Sequence, residues 1–290
     1  MTAFRQRLRL HQSRWRESKG HLIGSQPIVP RPGKPSRPLG SRLPLAYARE
    51  TGANFLTVAA LEAATTRASS PEHHQRFDHQ RLWADLLWSP SLAFNLFGDL
   101  AGDLALADKV VHAWWPDAPG TVWEARFAHS PGRFDPTYLG SLRSFDAAFV
   151  LDLGDRTCGI IAIDVNYHDH SKPAIAKPSG RPRQREVAAR SGVFVPGAVD
   201  AVDKTDLLVT SLEHLLLLSM LQHESGRWSW GRYIVVYPAR NSDVADGCNR
   251  YADLLTDPST FASITIEELL ENAALPPKVA TVLRDRYVLI

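Results

Sequence analysis

The stretch that most constrains this chain is Ser144 to His170, SFDAAFVLDLGDRTCGIIAIDVNYHDH. Two apolar runs rich in Ile, Val and Phe flank Gly154-Asp155-Arg156, the pattern of a β-hairpin closed by a short Gly-containing loop. With a three-residue loop centred on Asp155, Leu153 faces Thr157 and the pairing runs back symmetrically, which sets Asp146 directly opposite Asp164. Side chains opposed on an antiparallel pair leave the same face with Cβ atoms about 5 Å apart. Asn166 joins that face by the period of two, while Ile161, Ile163, Val165 and Tyr167 point the other way, toward a core. Two carboxylates and an amide are thus expected to converge on one side of a sheet.

Like charges directly opposite one another repel, so the two acids need a reason to coexist. One arrangement is a shared divalent cation, since Mg²⁺ takes hard oxygen ligands together with water and substrate phosphates. The other places one Asp beyond the regular pairing, solvated at an edge. Geometry alone leaves both open, because the register itself is an expectation.

The spacing resembles the PD-(D/E)XK nuclease superfamily, whose core hairpin carries an Asp early in one strand and an acid-x-Lys near the end of the next. By that likeness Phe145-Asp146 stands where the Pro-Asp does, and Asp164-Val165-Asn166 stands for the acid-x-Lys. FDAAFVLD followed by GIIAIDVNYHD is similar to a bacterial group of restriction-endonuclease-like proteins, as are Leu86 to Leu100 and Tyr233 to Pro238. The chain departs from the family at Asn166, which replaces the Lys. A lysine there is thought to orient the attacking water and stabilise charge developing on the phosphate; Asn donates a hydrogen bond but carries no positive charge.

At 290 residues the chain can bury a substantial core. Its apolar content of 44% and charged content of 22% are those of an ordinary globular protein. The formal net charge of +2 does not announce a nucleic-acid binder, but its distribution is uneven. Met1 to Glu50 holds eleven Lys or Arg against Glu17 and Glu50, and His168 to Arg190 holds Lys172, Lys177, Arg181, Arg183, Arg185 and Arg190 against Asp169 and Glu186. Both stretches are rich in Pro, Gly or Ser and read as extended arms and loops that can contact phosphates without reading sequence. Solvated linkers share that composition. The expected organisation is a basic Pro/Gly-rich arm over 1–45 and a single domain over 46–290. Cys158 and Cys248 form neither a disulfide framework nor a zinc spacing, which points to a reducing compartment. No run of eighteen apolar residues spans a membrane, and the Arg-rich start lacks the apolar segment of a secretory signal. Although it shares features with an organelle transit peptide, a similar basic start is found in the nuclease group, and the expected location is cytoplasmic.

Helices are expected over Phe4 to Glu17, from an Asn54 cap to about Arg67, over Asp78 to Leu87, and over Leu100 to Trp115 before Pro116. Asn95, inside an apolar run, should be buried and hydrogen-bonded, pinning a loop. Thr121 to Ala128 reads as a strand before the hairpin, and Arg133 and Asp135 in the bridge that follows could reach the site. Asp206 to His223, with five Leu between Leu212 and Leu218, must be a largely buried helix, and Arg232 to Tyr237 is a strand closed by Pro238. Strand, buried helix and strand make a crossover onto the same sheet. The tail offers short helices around Arg250 to Leu255 and Ile266 to Ala273. His168, Asp169 and His170 suit an exposed strand end better than a metal site. The fold expected is therefore α/β, a mixed sheet flanked by helices, and the resemblance implies a restriction-endonuclease-like αβββαβ core.

By the same resemblance, an acid from the helix before the hairpin joins the site; Glu62, Glu72 and Asp85 are the candidates. What the likeness implies is a metal-dependent DNA endonuclease of weakened activity, with Asp146 and Asp164 holding Mg²⁺ or Mn²⁺ and Asn166 orienting water. Lys172, Lys177, Arg181, Arg183 and Arg185 would contact the DNA backbone, a lysine such as Lys172 or Lys204 could supply the missing charge, and a homodimer is compatible with it. The alternative is a nucleic-acid-binding protein that has kept the scaffold and lost cleavage.

Overall fold

The run Gly159-Ile-Ile-Ala-Ile lacks polar alternation, and a strand of that kind belongs inside a sheet covered on both faces. In the computed structural model, which describes residues 3–26, 36–168, 174, 178–271 and 274–289, it lies in the central strand of a five-stranded sheet. Thr121–His129 (β1), Phe145–Asp152 (β2) and Cys158–Val165 (β3) form an antiparallel meander, and Trp228–Tyr237 (β4) and Phe261–Thr265 (β5) add in parallel, in the order β1-β2-β3-β4-β5. The hairpin register is the expected one. Ala147 faces Ile163, Asp152 faces Cys158, and the Leu153 N–H donates to the Thr157 carbonyl at 3.2 Å. Gly154, Asp155 and Arg156 all turn through the left-handed region, with the Asp152 carboxylate accepting the Gly154 N–H at 2.9 Å.

The longer helices are Ala3–Ser18 (α1), Val58–Ser69 (α2), Ser89–Gly102 (α3), Leu104–Trp114 (α4), Arg181–Ser191 (α5), Leu208–Leu221 (α6), Ser242–Ala252 (α7) and Pro277–Tyr287 (α8). Phe149, Ile161, Ile163, Val165 and Tyr167 enter one core with side chains of α1 to α4 and α8. Ala148, Val150, Ile160, Ala162 and Val235 enter a second core with α5, α6 and α7. Helix α6 carries the chain from β3 to the parallel β4, as the crossover requires. The architecture is a mixed sheet flanked by helices, the αβββαβ arrangement with one further strand.

Several local expectations change. Thr57, not Asn54, caps α2, its hydroxyl accepting the Ala60 N–H at 3.1 Å. Asn54 is buried instead and receives the guanidinium of Arg286. The basic stretch expected as loop becomes a single turn at Pro178–Gly180 followed by α5, with Pro182 in the first turn where a missing N–H costs nothing. The first tail helix starts at Ser242, β5 occupies a short segment for which no element was expected, and Asn95 lies within α3 rather than in a loop. Finally, α1 is docked rather than extended: Leu8 and Trp15 are core residues, and Gln12 donates to Tyr167 Oη at 2.9 Å and to the Arg286 carbonyl at 2.7 Å.

Candidate active site

Both acids sit where the hairpin ladder ends. Asp146 is the second residue of β2 and Asp164 the penultimate residue of β3. The last paired residues are Ala147 and Ile163, so the next step places Asp146 opposite Asp164. Beyond it the ladder is replaced: the Val165 N–H donates to Asp146 Oδ2 at 2.9 Å. Each Asp is half-buried on the face of the second core. Their carboxyl groups lie within hydrogen-bonding reach of one another, and burial first, then the charge of Asp164, pushes the Asp146 carboxyl well above the usual range against the pull of the Val165 N–H. Asn166 projects onto the same face and donates from Nδ2 to Asp164 Oδ2 at 2.8 Å. All three residues expected at the site are therefore brought together.

A helix acid that is not among the three candidates reaches the pair. Glu72 is absorbed by His129 at 2.8 Å, the Ser130 N–H at 2.9 Å, Arg67 at 3.0 Å and Arg133. Burial would raise its carboxyl, but hydrogen bonding and charge from His129, then the Ser130 N–H and Arg67, outweigh it and hold it at about 2. Asp85 is bound to Arg42 at 3.4 Å and Arg81 at 3.5 Å. Glu62 is exposed and lines a cavity of about 570 Å³ between α2, α3 and β1. The acid that does reach the pair is Glu213, on the crossover helix α6. It is only 6% exposed, lies within hydrogen-bonding reach of Asp164, accepts from Tyr233 Oη at 3.0 Å, and meets Arg143 Nη1 at 3.4 Å. Burial, then the charge of Asp164, raises Glu213 well above the ordinary range, with Arg143 and Tyr233 opposing.

Sequence reasoning missed Glu213, although a signal was present. An acid inside LEHLLLL, on a helix that must be buried, needs a partner of its own. Arg143, three residues before Asp146, was missed as well. Two cavities open beside these groups. One, of about 610 Å³, is lined by Asp146, Arg133 and Trp88; the other, of about 460 Å³, by Glu213, Arg143 and Gln184. Phe134, Leu142 and Ser144 border both.

The basic residues are not gathered here. Arg181 binds Asp203, Arg183 donates to the Tyr138 and Thr137 carbonyls at 2.7 Å, and Arg185 meets Asp200 at 2.9 Å. Lys172 and Lys177, with Asp169 and His170, lie outside the described residues. Lys204 is exposed in the turn before α6, and His168, expected exposed, is buried. Both cysteines are buried and free.

As a donor set, the two aspartates offer the hard carboxylate oxygens that Mg²⁺ takes one or two at a time, leaving the rest of its shell to water and phosphate. Among the described residues no three His, Cys, Asp or Glu side chains enclose a metal as they stand. A cation between Asp146 and Asp164 would relieve the repulsion that burial enforces, so the residues fit such an ion. Also among the described residues, no helix is long and apolar enough to cross a membrane.

Comparison with known proteins agrees with this geometry. No curated protein and no solved structure matches the chain. The family model for the PD-(D/E)XK nuclease superfamily matches residues 2–289. With an acid at the head of β2, an acid-x-Asn at the end of β3 and a mixed αβββαβ sheet holding them together, the chain belongs to the PD-(D/E)XK nuclease superfamily.

Proposed function

We propose that this protein is a divalent-metal-dependent endonuclease that hydrolyses DNA phosphodiester bonds. The observation carrying it is the meeting of Asp146 and Asp164 at the open end of the β2–β3 ladder, in a member of a nuclease superfamily. Asp146 and Asp164 would hold Mg²⁺ or Mn²⁺ through carboxylate oxygens. When bound, such an ion lowers the pKa of a coordinated water and polarises a phosphoryl oxygen. The chain's own part is positioning. The Val165 N–H fixes one oxygen of Asp146, and Asn166 fixes one oxygen of Asp164. Asn166 would also donate to a water, with a dipole where the family carries a full charge. Lys172, Lys177 and the outer edges of Arg181, Arg183 and Arg185 would follow the DNA backbone. Because the three arginines are already held by protein acceptors, each contributes less than a free cation would.

A second reading is favoured by Asn166 itself: a protein that binds nucleic acid on this scaffold without cutting it. Plasmid and single-stranded DNA incubated with Mg²⁺, Mn²⁺ or a chelator, beside Asp164→Ala, separates the two. Metal-dependent cutting that disappears in the variant supports the nuclease. Salt-sensitive binding with no cutting in any metal selects the second reading.

A further inference from the structure

We infer that Arg143 is a phosphate-binding residue, supplying the positive charge that Asn166 does not, with Glu213 as the residue that positions it. The inference rests on the nuclease reading for its substrate, a phosphodiester, but its geometry is independent of the metal.

Arg143 stands just before β2, three residues from Asp146, and turns its guanidinium toward the crossover helix. Its Nη1 meets Glu213 Oε1 at 3.4 Å, and Glu213 is in turn fixed by Tyr233 and reaches Asp164. Arg143, Glu213, Asp164 and Asp146 thus form one continuous polar chain, with the cation at the end that faces solvent. The arginine side chain is 34% exposed and lines the 460 Å³ cavity with Ser144 and Gln184.

A guanidinium carries five N–H donors. In Arg143 one of them meets Glu213, which is its side-chain acceptor among the described residues, at a distance near the limit of a useful hydrogen bond. The other arginines near the cleft are committed more fully. Arg133 is buried against Glu72 and the Ala128 carbonyl, and Arg183 is held by two carbonyls. Arg143 therefore keeps a planar fork directed into a cavity beside the carboxylates, which is the geometry that grips a phosphate through two parallel N–H bonds. A long side chain loosely tethered to a buried acid can shift toward an arriving anion while staying close to Asp164. A non-bridging oxygen of the DNA backbone is the ligand that this arrangement suits.

The test uses the whole chain and its Arg143→Ala and Arg143→Lys variants, checked first for unchanged thermal unfolding. DNA binding is measured by fluorescence anisotropy from low to moderate salt with Ca²⁺ present, so that binding is read without cutting, and cleavage rates are measured separately in Mg²⁺. Loss of one phosphate contact lowers the slope of log affinity against log salt by about 0.7 to 0.9. Arg143→Ala is expected to show that change and to lose about 10²- to 10³-fold in kcat. Arg143→Lys is expected to keep the slope and recover part of the rate. An Ala variant with the wild-type slope overturns the inference even if cutting is robust. A wild-type protein that binds but never cuts removes the hydrolytic reading, while the slope comparison still decides Arg143. A wild-type protein that does not bind DNA overturns both.

Discussion

Asn166 directs its amide at Asp164 Oδ2 over 2.8 Å, so it orients an acid of the proposed metal site. Groups that orient metal-binding carboxylates typically carry 10- to 100-fold of the metal affinity. Asn166→Ala is accordingly expected to weaken Mn²⁺ binding by about tenfold or more in calorimetric titration, with Asn166→Asp no better because it adds a third repelling charge. Asp146 illustrates the opposite side of the same design. Its carboxyl is driven up by burial and by Asp164, which means the metal-free fold holds that charge at a cost. Asp146→Asn should therefore unfold at the same temperature as the wild type or a few degrees higher without metal, while metal-dependent cutting is lost. A lower melting temperature would show that the acid is structural.

Between elements, one close approach lies where α3 crosses α2. A Cβ added at Gly98 would stand 2.5 Å from the Cα of Ala60, a backbone atom that cannot step aside without moving the helix. Gly98→Ala is expected to cost about 1 to 3 kcal/mol of unfolding free energy in denaturant titration. Glu72 links the segment after α2 to the edge strand β1 through His129, Ser130 and Arg67. Since its carboxyl is depressed to about 2, its contribution is complete above the unfolded carboxyl range near 4.3 and drains away as pH falls toward 2. Glu72→Gln should flatten that acid limb of stability against pH. The elements themselves were largely legible. The hairpin, its register, the buried crossover helix and β4 follow from apolar runs and a turn whose residues accept left-handed backbone. Misread elements were those whose partners are remote in sequence. A basic, proline-bearing segment looked like linker because nothing local reveals that Asp200 and Asp203 would neutralise it, and Glu213 escaped notice because its partners lie on β3, β4 and the segment before β2.

Across the whole molecule, the two cores share one sheet, and the guanidinium of Arg286 on α8 is held between α1 and Asn54. Arg286 is fully buried. It donates to the Asn54 carbonyl at 2.7 Å, to Asn54 Oδ1 at 2.6 Å and to Gln12 Oε1 at 3.3 Å, and it lies 4.2 Å from the Trp15 ring centroid. Arg286→Leu would strand several buried acceptors at about 1 to 3 kcal/mol each. The variant should melt well below the wild type, and Arg286→Lys should rescue it poorly because one ammonium cannot span the same acceptors. These partners are up to 274 residues apart along the chain. Such a clasp cannot close before α8 has been synthesised, because Gln12, Trp15 and Asn54 share a guanidinium that α8 supplies. The seating of α1 on the rest of the fold therefore depends on α8, and a chain lacking α8 is expected to leave Trp15 open to solvent quenchers of its fluorescence.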